Sequence, residues 1–307
     1  MTRGTVESEL RTIIVLDLTS SLPALLALLS SFLFAMANQI ISVGQEKLDN
    51  RSGTLINITA TTLMFWLLTP FYFRVDYFWS GAVLLFALAG LVQPALSVTL
   101  ATEGIKKLGP TLSAGLAATT PLFAILLAIL FLGEALTGPL AIGTAAVIIG
   151  IVISTTDRKR NIMHSWPLWA LLLPLGAAFF RGSSITLVKA GLAEVPSPFF
   201  AVFITYTVSI VIVFSKFKID GLKLPHPSGG HRWFALAGIL NGAAILSMSF
   251  AVLLGKIVTV APIGASTPLI SMLLGLFIFK REMITWRIVL ALALVIPGII
   301  YIVLQSS

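Results

Sequence analysis

The sequence predicts an all-α membrane protein, with ten transmembrane helices arranged as two inverted five-helix repeats. Three observations lead to this fold class. Only 10% of the 307 residues are charged and 57% are hydrophobic, whereas a soluble domain carries about 25% charged residues. Ten apolar runs have the length of a membrane-spanning helix. Short sequence matches recur between the two halves of the chain.

The apolar runs divide the chain into a short lead-in and two sets of five helices. Turn or charge signals separate the runs. We expect a lead-in at residues 1–20, a first repeat at 21–155, a connecting loop at 156–165 and a second repeat at 166–305. The predicted helices cover residues 21–44, 54–73, 79–101, 111–132, 136–154, 166–188, 198–215, 232–254, 259–279 and 283–304.

The internal duplication rests on matches that a composition rich in leucine and alanine does not produce by chance. Because five is an odd number, the second unit crosses the membrane in the opposite sense, as in secondary transporters that bind substrate between their repeats near the midplane. Channels and scaffolds also duplicate, so duplication alone does not decide the function. The matches, at a nearly constant separation, pair Ala87–Gly90 with Ala235–Gly238, Gln93 with Asn241, Thr120-Pro121-Leu122 with Thr267-Pro268-Leu269, and Glu134 with Glu282.

The motif Phe-Leu-Gly-Glu-Ala-Leu-Thr at residues 131–137, which follows Thr120-Pro121-Leu122, resembles the drug/metabolite transporter superfamily and its EamA-type members. The second copy carries a similar motif with Lys280-Arg281 in place of Leu-Gly. The first helix departs from the family, because Ala35-Met36 stands where members often have Trp-Gly, and no lysine precedes Lys47. The resemblance implies a ten-helix exporter or exchanger of metabolites with a central cavity.

Most of the 20 lysines and arginines lie in the odd-numbered loops. The positive-inside rule then places those loops in the cytoplasm and both termini outside. The family resemblance implies cytoplasmic termini instead, so the two arguments conflict. We expect a multi-pass protein of the cell (inner) membrane.

Several other functions lack their sequence signals. The net charge of +8 is explained by loop residues, and no basic helix interleaved with aromatics indicates nucleic-acid binding. A membrane enzyme is the main alternative, but His164, His226 and His231 lie in loops and no buried carboxylate pair is seen. A channel would favour rings of charge or a filter loop. We expect no cofactor and no metal; the partners are a small-molecule metabolite and the lipid bilayer, and a homodimer is left open.

Arg181 is the most informative candidate residue, because it lies about two-thirds along the sixth predicted helix. A charge near the bilayer centre costs about 2.5–3.5 kcal/mol on insertion scales, so it usually faces a cavity or a partner. The functional interpretation is a planar fork for a substrate carboxylate or phosphate. The structural alternative is an arginine that satisfies backbone carbonyls or reaches the interface.

Neutral polar residues at depth complete the predicted substrate site. Amides buried in a membrane need partners, which substrate or a neighbouring helix can supply. Gln93 and Asn241 occupy equivalent places in the two repeats and, if functional, would flank one central site. The remaining predicted substrate-binding residues are Asn38, Gln39 and Ser42 in the first run, Ser184 beside Arg181, and Tyr206 as a cavity wall.

The Thr-Pro pairs and the duplicated glutamates are predicted to act on the helices themselves. Thr120-Pro121 and Thr267-Pro268 interrupt the amide ladder of the fourth and ninth runs, which suggests hinges for alternating access, with a fixed kink as the alternative. Glu134 and Glu282 are each expected to stabilise the N-terminus of the helix that follows rather than to bind substrate.

No Asp or Glu lies at mid-depth in any predicted run. Anionic or zwitterionic metabolites, such as amino acids or organic acids, therefore fit the site better than cations do.

Overall fold

The computed structural model describes residues 3–72, 74–108, 110–155, 167–221, 229–279 and 286–306. Within these ranges every regular element is a helix. The α-helices are α1 Arg3–Gly44, α2 Asn50–Tyr72, α3 Ala82–Gly90, α4 Ser97–Leu108, α5 Pro110–Ala117, α6 Thr120–Leu132, α7 Gly138–Thr155, α8 Leu172–Glu194, α9 Pro198–Ile219, α10 Gly229–Leu254, α11 Ile257–Gly264, α12 Thr267–Phe277 and α13 Trp286–Ser306.

These helices form ten membrane segments, which confirms the predicted fold class. Eight segments are long and apolar enough to span a bilayer, and shorter apolar helices at Gly138–Ile153 and Val289–Gln305 supply the other two. Three segments are each made of two helices: α3 with α4, α5 with α6, and α11 with α12. The predicted lead-in is helical from Arg3 onward and continues into the first span without a break.

The interruptions fall at sites where proline removes a backbone donor. Gln93 has extended backbone angles (φ −141°, ψ 128°) inside the π-helical turn Leu91–Leu96 that joins α3 to α4. The Thr-Pro pairs differ from the prediction in detail, because Pro121 and Pro268 lie in the first turns of α6 and α12 rather than inside continuous helices. Proline is well tolerated at that position.

The two repeats pack as pseudo-symmetric partners. The equivalent helices are α1 and α8, α2 and α9, α3/α4 and α10, α5/α6 and α11/α12, and α7 and α13. The packing of α1 on α10 therefore has its counterpart in the packing of α8 on α3 and α4. In the same way, α2 packs on α9 and α7 packs on α13. The hydrophobic core consequently lies between the repeats and not inside either one.

Hydrogen bonds repeat this symmetry atom by atom. Thr61 Oγ1 donates to the Gly238 carbonyl at 2.6 Å, and Ser209 Oγ donates to the Gly90 carbonyl at 2.8 Å. Both glycines allow a close helix approach, because a Cβ on Gly90 would lie 2.3 Å from the Thr205 carbonyl oxygen and one on Gly238 would lie 2.4 Å from the Asn57 carbonyl oxygen. Hydroxyl-to-carbonyl bonds of this kind hold membrane helices together.

Carboxylates join the two repeats at the end of the bundle that carries the even-numbered loops. Glu134 accepts hydrogen bonds from the backbone N–H groups of Ile257 and Val258, both at 2.9 Å. Glu194 accepts one from the backbone N–H of Gly81, just before α3, at 2.8 Å. Each carboxylate meets the positive end of a helix in the other repeat. Glu134 thus stabilises a helix N-terminus as predicted, but that helix is α11 and not the one that follows it.

Candidate substrate site

Arg181 lies at the level of the break between α3 and α4. The contacts between the antiparallel helices α8 and α3/α4 set this depth: Ser184 Oγ lies 3.3 Å from the Ala89 carbonyl oxygen, and a Cβ on Gly176 would lie 3.2 Å from Leu100 Cδ1. Arg181 falls between these two contacts, and α8 also packs against the turn Leu91–Leu96 itself. Interpolation between the contacts places Arg181 opposite Gln93 and Pro94.

The guanidinium of Arg181 has no hydrogen bond or ion pair with any described residue. Its side chain is intermediate in exposure. On the helical wheel it lies between the side of α8 that faces α3, marked by Ser184, and the side that faces α6, where a Cβ on Gly182 would lie 2.7 Å from Ala124 N. A guanidinium that is at depth, turned inward and unpaired has its donors available to a ligand.

The turn beside Arg181 supplies a second unpaired polar group. Pro94 has no N–H, so the Gly90 carbonyl loses its helical donor, and the Ser209 hydroxyl takes that place at 2.8 Å. Ser184 likewise donates to the Ala89 carbonyl. The Gln93 side chain is intermediate in exposure and makes no hydrogen bond to a described residue. Irregular backbone at membrane depth is tolerated where it lines a cavity or is buried in protein.

A second interruption, between α5 and α6, lies on the other side of α8. Thr119 and Thr120 donate from their hydroxyls to the carbonyls of Leu116 and Ala117, at 2.7 and 2.8 Å. Helix α8 contacts both α5 and α6. Arg181 therefore lies on a continuous helix that is packed between two interrupted ones.

Asn38 faces the interior of the bundle but is exposed. Ser31 lies two turns earlier on the same face of α1, and its Oγ is 3.2 Å from the carbonyl oxygens of both Ile263 and Gly264 at the end of α11. That face therefore packs into the protein, whereas the lipid-facing stripe carries Leu25 and Leu29 on the other side of α1. The exposure of Asn38 indicates an opening between α1 and its neighbours at this depth.

Three other predicted polar side chains, those of Gln39, Ser42 and Asn241, donate hydrogen bonds to protein groups. Gln39 Nε2 donates to the Ser271 carbonyl at 2.6 Å and to its hydroxyl at 3.1 Å. Ser42 donates to the Gln39 carbonyl at 2.7 Å. Asn241 Nδ2 donates to Asn57 Oδ1 at 3.0 Å. These contacts fit the packing alternative for the three side chains, because each joins two helices or satisfies a local carbonyl.

Tyr206 belongs to an aromatic cluster between α2 and α9. Its ring centroid lies 6.3 Å from that of Phe65, and its backbone carbonyl accepts from Thr62 at 3.4 Å. The structure therefore brings Arg181, Gln93 and Ser184 together on one side of the bundle. It places Asn38, Gln39 and Ser42 on α1 with α11 and α12, while Asn241 lies between α10 and α2.

The sixth predicted helix ends at residue 188, but α8 continues to Glu194, so Lys189 lies inside the helix. Its Nζ donates to the carbonyls of Val252 and Gly255, at 2.6 and 2.8 Å. Those carbonyls lie at the C-terminus of α10, where a cation is favoured. Thr61 and Ser209 were not among the predicted residues. The repeat separation relates them, so the sequence alone could have indicated this pair of hydroxyls.

An apolar groove of about 300 Å³ lies between α2 and α10 and is lined by Ala60, Leu63, Met64, Leu67 and Ile239. It contains none of the predicted polar residues and is separate from the candidate site. Among the described residues, no cluster of His, Asp and Glu has the composition of a metal site.

Comparisons with known proteins agree with the fold. The sequence profile described as the EamA-like transporter family matches residues 21–156 and again 168–304. No curated protein sequence matches the chain. One solved structure, described only as a crystal structure of protein, aligns with a TM-score of 0.76 at 15% identity over 94% of this chain and 97% of that chain. At that identity the likeness shows the fold alone.

Proposed function

Because this chain belongs to the EamA-like transporter family, we propose that it is a secondary transporter that moves small polar metabolites by alternating access. The substrates are zwitterionic or anionic, such as amino acids or organic acids.

One observation carries the choice of substrate charge. Arg181 is a cation at membrane depth without a protein partner among the described residues. A charge in that place is costly unless something compensates it, and a carboxylate or phosphate matches the fork of a guanidinium. Glu134 and Glu194, which lie at the even-loop end of the bundle, are already bound to backbone N–H groups and so do not neutralise it.

The paired residues have a different role in this proposal. Asn38 lines the opening beside α1, whereas Gln39, Ser184 and Asn241 hold neighbouring helices together and Ser42 satisfies a carbonyl of its own helix. The interruptions at Thr120-Pro121 and Thr267-Pro268 are hinges. Each lets the two helices of its segment, α5 and α6 or α11 and α12, move relative to one another, while hydroxyls satisfy the freed carbonyls. Tyr206 remains a candidate wall residue.

The charge bias of the loops supports cytoplasmic odd-numbered loops, and both termini outside, in the inner membrane of the cell. In that orientation the end closed by Glu134 and Glu194 faces outward. Asn38 then lies in the half of α1 that is nearer to the cytoplasm.

The test is thermal stabilisation of the purified protein by a panel of amino acids, organic acids, phosphates and organic cations, repeated with Arg181→Ala and Arg181→Lys. We expect anions or zwitterions to raise the unfolding temperature of the native protein and of Arg181→Lys, and to have no effect on Arg181→Ala. Stabilisation by cations only, or an unchanged response in Arg181→Ala, would show that Arg181 is structural and that the substrate class is wrong.

A further inference from the structure

The two repeats use their equivalent amides differently. Asn241 lies in the unbroken helix α10, and its amide is bonded to Asn57. Gln93 lies in the interrupted segment, and its amide is unpaired among the described residues. The pseudo-symmetry that holds for Gly90 and Gly238 is thus broken one turn later.

The cause of this difference lies in the helix opposite each amide. The residue equivalent to Asn57 in the second repeat is Thr205. Its one hydroxyl proton is already shared between the Phe86 and Ala201 carbonyls, whose oxygens lie 3.2 and 2.7 Å from Oγ1. Thr205 cannot pair with Gln93 as Asn57 pairs with Asn241, because its side chain is shorter and its hydroxyl proton is already hydrogen-bonded.

The position of the Gln93 amide makes it a candidate for binding a ligand. The approaches of Ser184 to Ala89 and of Gly176 to Leu100 place Arg181 at the depth of Gln93 and Pro94, and α8 packs against the turn that contains Gln93. A polar group at such depth loses free energy unless it is hydrogen-bonded. Two side chains at the same depth on elements that pack together, one cationic and one neutral, therefore both lack a partner among the described residues.

We propose that Gln93 is a specificity-determining residue of the site that Arg181 serves, and this inference rests on the proposed function. The guanidinium binds the anionic end of the substrate, and the Gln93 amide binds a neutral hydrogen-bonding group next to it. An amide offers both donors and an acceptor, so a hydroxyl, a carbonyl or another amide suits it. The preferred substrates are hydroxylated or amide-bearing carboxylates and phosphates, and their plain counterparts bind more weakly.

A ligand without the neutral group leaves the Gln93 amide without a hydrogen-bond partner in the occupied site, and this lowers the affinity of that ligand. A lost hydrogen bond of about 1.4 kcal/mol corresponds to about a tenfold difference in affinity.

The experiment measures dissociation constants for ligand pairs that differ by one hydroxyl: lactate and propionate, serine and alanine, 2-hydroxyethyl phosphate and ethyl phosphate. We expect at least one pair to show about tenfold preference for the hydroxylated member. That preference should disappear in Gln93→Leu, which keeps the volume of the side chain. Asn241→Leu is the matched control at the equivalent position, and it should keep the preference.

A second variant tests proximity without depending on ligand choice. Gln93→Glu places a carboxylate beside Arg181, so it should abolish stabilisation by every anion and raise the unfolding temperature of the ligand-free protein. Asn241→Asp, the control, should leave anion binding intact.

The outcomes separate the two proposals. If anions bind through Arg181 but no pair shows a preference, or the preference survives in Gln93→Leu, the role of Gln93 is refuted and the transporter proposal stands. Anion binding that persists in Gln93→Glu also refutes it, because the two side chains are then not neighbours. If no anion binds the native protein, or binding is unchanged in Arg181→Ala, both proposals fail.

Discussion

Replacing Gly90 by alanine should destabilise the protein by about 2–4 kcal/mol, a figure that follows from the contact between α3 and α9. The new Cβ would lie 2.3 Å from the Thr205 carbonyl oxygen, whereas a carbon and a carbonyl oxygen approach to about 3.3 Å. The helices must therefore separate by about 1 Å, which overpacking of this kind makes costly at about 1–3 kcal/mol. Separation also stretches the Ser209–Gly90 and Thr205–Phe86 hydrogen bonds, now 2.8 and 3.2 Å, each worth about 0.6 kcal/mol in a membrane protein.

The assay is unfolding by sodium dodecyl sulfate in mixed micelles, followed by the fluorescence of the 6 tryptophans. The matched control is Gly115→Ala in α5, where a Cβ meets nothing within 4 Å. Alanine there should stabilise the helix by about 0.5–1 kcal/mol. If Gly90→Ala unfolds within about 0.5 kcal/mol of the native protein, the helices are not held at contact distance, and the packing argument for the two equivalent glycines is refuted.

Two further predictions test the ends of the bundle. Glu134→Ala should cost about 1–2 kcal/mol in the same unfolding assay and speed hydrogen exchange at the Ile257 and Val258 amides, because α11 loses its charged cap; unchanged exchange there would contradict the cap. For orientation, Lys47→Cys and Asp76→Cys can be labelled singly, because the chain has no native cysteine. A membrane-impermeant maleimide added to intact cells should label Asp76→Cys alone, and labelling of Lys47→Cys alone would reverse the proposed orientation.

The number of helices and the repeat could be predicted because each depends on a local or periodic property. A span needs a certain apolar length, and the duplicated motifs keep their separation along the chain. Helix ends were harder to predict: the sixth helix was predicted to end at residue 188, but α8 continues past Lys189 because the carbonyls of Val252 and Gly255 accept hydrogen bonds from its ammonium. Those carbonyls are far away in sequence.

The interruption at Gln93 shows a different limit. Pro94 is visible in the sequence, but the equivalence of Gln93 and Asn241 did not predict that Gln93 has extended backbone angles while Asn241 lies in an unbroken helix. A proline signals a break, but the hydroxyls of Ser184 and Ser209 that make the break tolerable come from α8 and α9. The hydrogen-bond partners of Gln39 and Asn241 could not be predicted from the sequence either, because Ser271 and Asn57 meet them only in the packed helix bundle.

The asymmetry around Arg181 has a physical reason. The stretch of α1 equivalent to it is Leu33-Phe34, which is apolar, so one repeat carries the charge and the other does not. Two guanidiniums related by a pseudo-twofold axis would repel one another and would double the cost of placing charge at membrane depth, while a small metabolite has only one anionic end to offer. The duplicated glycines and hydroxyls differ in this respect, because a change in either copy weakens the packing between the helices that it joins. A scaffold that is symmetric where helices touch and asymmetric around Arg181 is therefore what the proposed function, with one small anionic substrate, requires.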